Sequence, residues 1–306
     1  MNEKKQSSYA PIVVFCFKRT ETLERLISAL LLNPEAQFSD LYLYSDAPRS
    51  SGDFNQVEAV RKYLKTIIGF KSINIVEREV NLGLARSFIS GITETLTKHS
   101  SGIFLEDDNF ISKSFLQFMN ESLKKYEFEN RVGCISGFSY PMPIRPKQGY
   151  FLNGAETWSM ATWRNVWEEF EQDADRLIQI FENRNLRKKL NMYGFNFYEM
   201  LLLQSKNKID SWGVRWWASA VSLNLLCFYP PRPYCINVGW GMEGTHVTEI
   251  DPIMSKVENM TDDIFRVFPK KIRASSAITL NMRFMNIILM CSELIGSAVR
   301  RFRNEI

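Results

Sequence analysis

Apolar and polar positions follow two rhythms along the first 140 residues. Short apolar-rich runs, Pro11–Phe17, Asp40–Tyr44, Ser72–Val76, Gly102–Leu105 and Val132–Ser136, read as buried strands. Between them, Glu21–Leu32, Phe54–Ile68, Leu84–Thr97 and Ser112–Tyr126 carry apolar residues at helical spacing, with Thr20 the expected N-cap of the first. Strands alternating with helices predict an α/β fold: a mainly parallel, Rossmann-like central sheet flanked by helices.

After Tyr140 the texture changes. Pro141, Pro143, Pro146 and Gly149 mark a connecting loop. Beyond it, Trp158–Phe170, Arg176–Leu190 and Trp212–Asn224 read as helices, and Leu225–Tyr229 as a short strand closed by Pro230 and Pro231. No repeat and no flexible linker separates the halves. The expected organisation is a flexible N-terminus (1–9), a 10–140 half and a Trp-rich 141–275 half of one compact domain, and an amphipathic basic helix over 276–306. That last segment ends on Arg300, Arg301 and Arg303, so it suits either an anionic membrane surface or docking on the domain or a partner subunit. The docked reading is preferred.

Composition changes this picture little. Of 306 residues, 45% are apolar and 13% aromatic, enough for a generous core. With 38 Lys and Arg against 34 Asp and Glu, the net charge of +4 does not call for nucleic acid, and none is expected as a partner. Five cysteines lack CxxC spacing and read as reduced core residues. Only two histidines exist, too few for a histidine-based metal centre; His99, beside Lys98 and Ser100, reads as solvated surface. The N-terminus lacks a leader pattern, and no apolar run reaches the roughly 18–20 residues that span a bilayer. The expected location is cytoplasmic, with peripheral contact at the inner membrane face through the C-terminal helix as an option.

Candidate chemistry gathers where the predicted strands end. Lys18 and Arg19 follow the first, Asp46 the second, and Asn81, Gly83 and Arg86 the third. The fourth runs straight into Glu106, Asp107 and Asp108. In a parallel sheet all four ends face one crevice, where ligands of open α/β sheets collect. Three adjacent carboxylates repel one another and call for a cation; a divalent metal carrying a phosphorylated ligand fits. Arg19 and Arg86 would balance phosphate charge. Each residue also has a plain structural reading: a solvated acidic turn, a turn aspartate before Pro48, an exposed helix arginine.

The order of these segments, strand–KR, strand–SDAP, NLGLAR and LEDD, resembles GT-A nucleotide-sugar glycosyltransferases, in particular bacterial sugar transferases akin to the N-acetylglucosaminyltransferase-I group. In the second half, Glu156–Trp163 (ETWSMATW) is similar to that family's SWGWATW element, with Ser159 and Met160 replacing glycine and tryptophan. Ile209–Trp216 resembles its IDSWxxxW or TWDxxW segment, and Gly244-Thr245-His246 its terminal GTH. The resemblance covers roughly residues 10–250.

It implies a metal-dependent, inverting transfer of a sugar from a nucleotide diphosphate, a UDP-sugar for preference, to a hydroxyl of a glycan, lipid-linked or protein acceptor. Asp108 would hold the manganese or magnesium of a DxD-like motif, with His246 as a second metal or phosphate contact. Glu106 and Asp107 would lie near the ribose and metal shell, Asp46 at the nucleotide, and Asn81, Gly83 and Arg86 by the donor. The base that accepts the acceptor proton would be Asp210, with Glu156 and Glu243 as alternatives. Asp210 also suits the N-cap of the Ser211–Asn224 helix, and Gly213 stands where the TWDxxW variant places an acid. Two rivals follow. A sugar-1-phosphate nucleotidyltransferase would carry a glycine-rich loop after the first strand, which Lys18-Arg19-Thr20 is not. A non-catalytic nucleotide-sugar or glycan binder is kept open by Gly213.

Overall fold

The computed structural model of the chain describes residues 9–142, 144–237 and 260–285. Its first half is built from β1 (Ile12–Cys16), α1 (Thr20–Leu31), β2 (Asp40–Ser45), α2 (Phe54–Leu64), β3 (Ser72–Glu77), α3 (Gly83–Lys98) and β4 (Ser101–Glu106). Next come β5 (Asn109–Ile111), α4 (Phe115–Tyr126) and β6 (Val132–Ser136). The second half adds β7 (Tyr150–Asn153), β8 (Met160–Trp163), α5 (Arg164–Trp167), α6 (Ala174–Asn183), α7 (Arg187–Leu190), α8 (Phe197–Ser205), α9 (Trp212–Ser222), β9 (Leu226–Tyr229) and β10 (Cys235–Asn237). Residues 276–285 are also helical.

Eight strands form one mixed sheet in the order β3-β2-β1-β4-β8-β6-β9-β7, and β5 and β10 form a separate antiparallel pair. From β3 to β4 every pairing is parallel. Every residue of β1 and β6 is buried, which is why both read as unbroken apolar runs. Parallel pairing puts the carboxyl ends of β1 to β4 on one edge. The ladder continues past the strands there: the amide of Asp46 donates to the Cys16 carbonyl (3.1 Å), Asp107 to Phe15 (3.1 Å) and Arg78 to Ser45 (2.9 Å). These bonds fix the first loop residues beyond each strand, the residues that carry the charges.

The second half enters the same sheet. β8 runs antiparallel between β4 and β6, with Phe104 opposite Met160 and Ser136 opposite Met160 on the other side. Trp158–Phe170 is therefore not one helix. Its apolar residues fall at helical spacing, but Met160–Trp163 is buried throughout as an inner strand, and only Arg164–Trp167 is helical. Arg176–Leu190 is also divided: Asn185 takes a left-handed φ of 52° between α6 and α7. On the first helix, Arg19 rather than Thr20 occupies the N-cap position.

Aromatic packing joins the halves. Trp212 of α9 stacks on Phe88 of α3 at 5.0 Å between centroids, and Phe88 stacks on Phe15 of β1 at 3.9 Å. Trp216, fully buried, packs against Trp167 and Phe170. Most of the tryptophans are thus core, not exposed stacking faces. The described cysteines Cys16, Cys134, Cys227 and Cys235 are free and buried. No described helix is long and apolar enough to cross a membrane.

Candidate functional site

The acid triplet lies where the sequence places it, at the carboxyl end of β4, and Arg19 from the β1 end reaches across to it. The Arg19 guanidinium binds Oδ1 of Asp107 and, at 2.9 Å, Oδ2 of Asp108. The second Asp107 oxygen accepts the Phe17 amide at 3.4 Å. The second Asp108 oxygen accepts the amide of Asn237, at 2.9 Å. Both aspartates are nearly closed to solvent, at 3% and 6% exposure, and Glu106 is half-buried. Among the described residues, Asp107 and Asp108 thus share one guanidinium, with Glu106 next to them in the chain.

The charge states follow from that arrangement. Burial pushes Glu106 up to about 8, and the Asp108 and Asp107 charges push the same way. Burial also lifts Asp107 to about 6, opposed by Arg19 and reinforced by Asp108. Burial works against the Arg19 charge, but Asp107 and Asp108 more than offset it, so Arg19 stays protonated. A cation placed beside the cluster would relieve the repulsion that raises Glu106 and Asp107.

Two asparagines complete the edge. Asn109 accepts the Glu106 amide at 2.9 Å, while its own amide nitrogen is buried without a partner among the described residues. Asn237 arrives on β10, which pairs with β5 so that Asn237 lies opposite Asn109. Neither carries a sequence signal. Asn237 is 129 positions from Asp108, and only the β5–β10 pairing brings it there.

The other candidates divide between this edge and elsewhere. Asp46 is buried and staples the start of α3: Oδ1 accepts the amides of Ala47 and Leu82 and Oδ2 that of Gly83, at 2.9–3.0 Å. Asn81 donates to the Ala47 carbonyl at 2.6 Å. Gly83 has a left-handed φ of 71°, which suits glycine. Arg86 is exposed on the first turn of α3. Lys18 pairs with Asp53 at 3.0 Å, an aspartate that Arg49 also binds at 2.9 Å. His99 is not solvated surface: it is half-buried, with Nε2 3.0 Å from the Tyr42 hydroxyl.

Glu156 is buried beneath Tyr229, whose hydroxyl donates to Oε2 at 3.3 Å; Oε1 accepts the amides of Thr157 (2.9 Å) and Trp158 (3.4 Å). Burial raises its pKa, with those bonds opposing. Asp210 is exposed, 3.4 Å from Arg215, and does not cap α9; Ser211 does, accepting the Val214 amide at 3.3 Å. Gly213 lies against Thr157, the residue after Glu156: a Cβ there would meet Thr157 Cγ2 at 3.0 Å. Glu243 and His246 lie outside the described residues.

Among the described residues no group of three or more His, Cys, Asp or Glu side chains forms a metal cage. The donor set still suits a cation held partly by its ligand. Magnesium-like ions keep several waters and take only one or two carboxylates plus substrate phosphates. Asp107 and Asp108 offer two neighbouring carboxylates that already hold one cationic group, the Arg19 guanidinium.

No family model and no curated protein matches the sequence. Among solved structures, the chain resembles a mannosyltransferase from Pyrobaculum calidifontis in complex with GDP-Man and Mn2+ (13% identity, 52% of this chain and 46% of that one, TM-score 0.36). It also resembles residues 1–349 of S. aureus TarS (10% identity, 81% and 69%, TM-score 0.44). The chain spans less than half of the mannosyltransferase structure. Overlaps of this size and identity do not assign an activity, which has to come from the chemistry of the site.

Proposed function

We propose that the protein is a nucleotide-sugar glycosyltransferase that moves a sugar from a nucleotide diphosphate to a hydroxyl acceptor with inversion. One observation carries this reading: two buried aspartates and a third carboxylate close β4 at the shared carboxyl edge, and among the described residues one guanidinium pairs with the two aspartates. Such an edge is where an α/β sheet receives a nucleotide, and its charge fits a diphosphate only if a cation comes with it. The order of motifs, with its likeness to the N-acetylglucosaminyltransferase-I group, supports a UDP-sugar as donor.

Asp108 and Asp107 would hold the divalent cation, manganese or magnesium. Bound there, it supplies positive charge to the departing diphosphate. Arg19, already between the two aspartates, keeps their oxygens oriented along the edge. Asp46 holds Gly83 and the first turn of α3 in place, which sets Arg86 at the same side of the sheet to balance phosphate charge. Asn109 offers its unpartnered amide as a donor to the incoming nucleotide sugar. Asp210, exposed at the start of α9, is the base that receives the acceptor proton, because Glu156 has both oxygens engaged within the protein.

A glycan, lipid-linked or protein acceptor fits this chemistry. A non-catalytic nucleotide-sugar binder is the second reading, favoured by the crowding at Gly213, where an acidic side chain would press on Thr157. Release of nucleotide diphosphate from a panel of nucleotide sugars with manganese tests the two. Turnover that disappears in Asp108→Ala supports the transferase. Binding without turnover supports the second reading, and full turnover in Asp108→Ala overturns the role of that residue.

A further inference from the structure

A second feature of the molecule, away from the acid cluster, is a cavity of about 510 Å³ between the segments around residues 145–148, 231–234 and 261–267. Its size lies in the range of ligand sites. Among the described residues, Lys147, Arg232 and Arg266 line it beside Arg145, and one carboxylate, Asp263, stands with them. All four residues are exposed.

The walls are built rather than accidental. The floor is Tyr234 and Phe265, both buried and both packed on Phe118 of α4, at 4.8 and 5.2 Å between centroids. The Tyr234 hydroxyl donates to the Asp263 carbonyl at 2.7 Å, and the Thr261 amide to the Pro233 carbonyl at 3.0 Å. The Ser114 hydroxyl donates to the Asp262 carbonyl at 2.7 Å. The first two bonds tie the 261–267 wall to the 231–234 wall and the third ties it to the start of α4, so Arg232 and Arg266 stand on a fixed frame. Two prolines, Pro146 and Pro231, limit the freedom of the lining backbone further.

The cavity is also tied to the proposed active edge. Tyr234 in its floor is followed by β10, which ends at Asn237, the partner of Asp108. Three residues of extended chain span about 10 Å. A ligand seated in the cavity lies within reach of the acid cluster but not on it.

We infer that this cavity is a subsite for a phosphate-bearing acceptor, gripping its anionic groups while the reacting hydroxyl lies at the sheet edge. Guanidinium forks match phosphate oxygens in pairs. Among the described lining residues Lys147, Arg232 and Arg266 alone outnumber the one carboxylate, which fits a run of phosphates or a diphosphate. The apolar floor of Tyr234 and Phe265 accommodates the carbon skeleton between charges. This inference rests on the transferase reading for the word acceptor, but the anion site itself does not depend on it.

The test is binding of a short linear polyphosphate to the full chain, without nucleotide or divalent metal, as a function of salt. It compares the wild type, Arg232→Glu with Arg266→Glu, and a control carrying Lys124→Glu and Lys125→Glu on the exposed face of α4. The two double variants change net charge equally. The cavity variant is expected to lose about tenfold or more in affinity and to flatten the salt dependence by roughly one to two ions. The control is expected to keep the wild-type slope. Pelleting with phosphatidylglycerol vesicles, if it depends on the same two arginines, identifies a lipid headgroup as the source of the phosphate.

Equal losses in both variants, or no polyphosphate or vesicle binding by the wild type, overturn the subsite. Donor turnover, measured separately, tests the transferase reading alone. A protein that turns over donor but ignores polyphosphate loses only this inference. One that binds polyphosphate through the two arginines but never turns over donor keeps the anion site and loses the transferase.

Discussion

Asp46, after β2, and Asp107 and Asp108, after β4, lie on one edge of the sheet and are all at most 6% exposed. Their oxygens face different partners. Asp46 accepts three backbone amides and anchors the start of α3. Asp107 and Asp108 accept mainly side chains, a guanidinium and an amide that can turn away or share. Backbone amides cannot be exchanged for a ligand without unravelling a helix end, whereas a side-chain partner can be. Of the two regions, the β4 end is the one whose side-chain partners a ligand could replace, and the β2 end fixes the start of α3.

The comparison breaks most sharply at Asp108. Asp108→Ala is expected to lower turnover about a hundredfold or more while leaving the fold intact. An unchanged kcat in an assay of nucleotide release would place the chemistry elsewhere.

Arg19→Ala comes next. It leaves buried carboxylates without their cation and is expected to cost about 3 kcal/mol of stability. Added manganese should restore part of that loss, because it supplies the missing charge. Urea titrations with and without the ion check both statements.

Asp46→Ala removes the anchor of three amides and is expected to cost about 2 kcal/mol. Manganese should not restore it, and that contrast with Arg19 sharpens the distinction between frame and site. If the ion rescues both variants equally, the two ends of the sheet are not different in kind.

The smallest effect concerns Glu156. Burial raises its pKa in the folded protein above the ordinary value of about 4.3. Between those two values the folded state holds more protons than the unfolded state, so stability falls as pH rises through that window. Glu156→Gln removes this slope. Thermal melts across the acid range should show the wild type losing ground to the variant as pH increases; a gain for the wild type would contradict the buried, raised carboxyl.

Much of this was legible before any coordinates. The strands β1, β2, β4 and β6 are mostly or wholly buried, so their apolar runs announce them, and the charged residues after β1, β2 and β4 mark the carboxyl edge of the sheet. Met160–Trp163 was hidden for the opposite reason. It is a four-residue strand within a stretch whose apolar spacing matches a helix, and its identity depends on Phe104 and Ser136 on either side. The site divides in the same way. Glu106, Asp107, Asp108 and Arg19 stand out as charges at strand ends. Asn109 and Asn237 do not, because an asparagine has no pattern, and Asn237 meets Asp108 only through the β5–β10 pairing. Asp46 was visible as a residue but not as a helix anchor, since its partners Leu82 and Gly83 lie on the next strand–helix junction.

The most direct measurement is calorimetric titration of UDP and of GDP into the wild type and Asp108→Ala, each with and without manganese. The account predicts that one nucleotide binds the wild type at least about tenfold more tightly when manganese is present, and that Asp108→Ala abolishes this gain. Equal binding with and without the ion, or a gain that survives in Asp108→Ala, would contradict a cation-bearing diphosphate site at the end of β4.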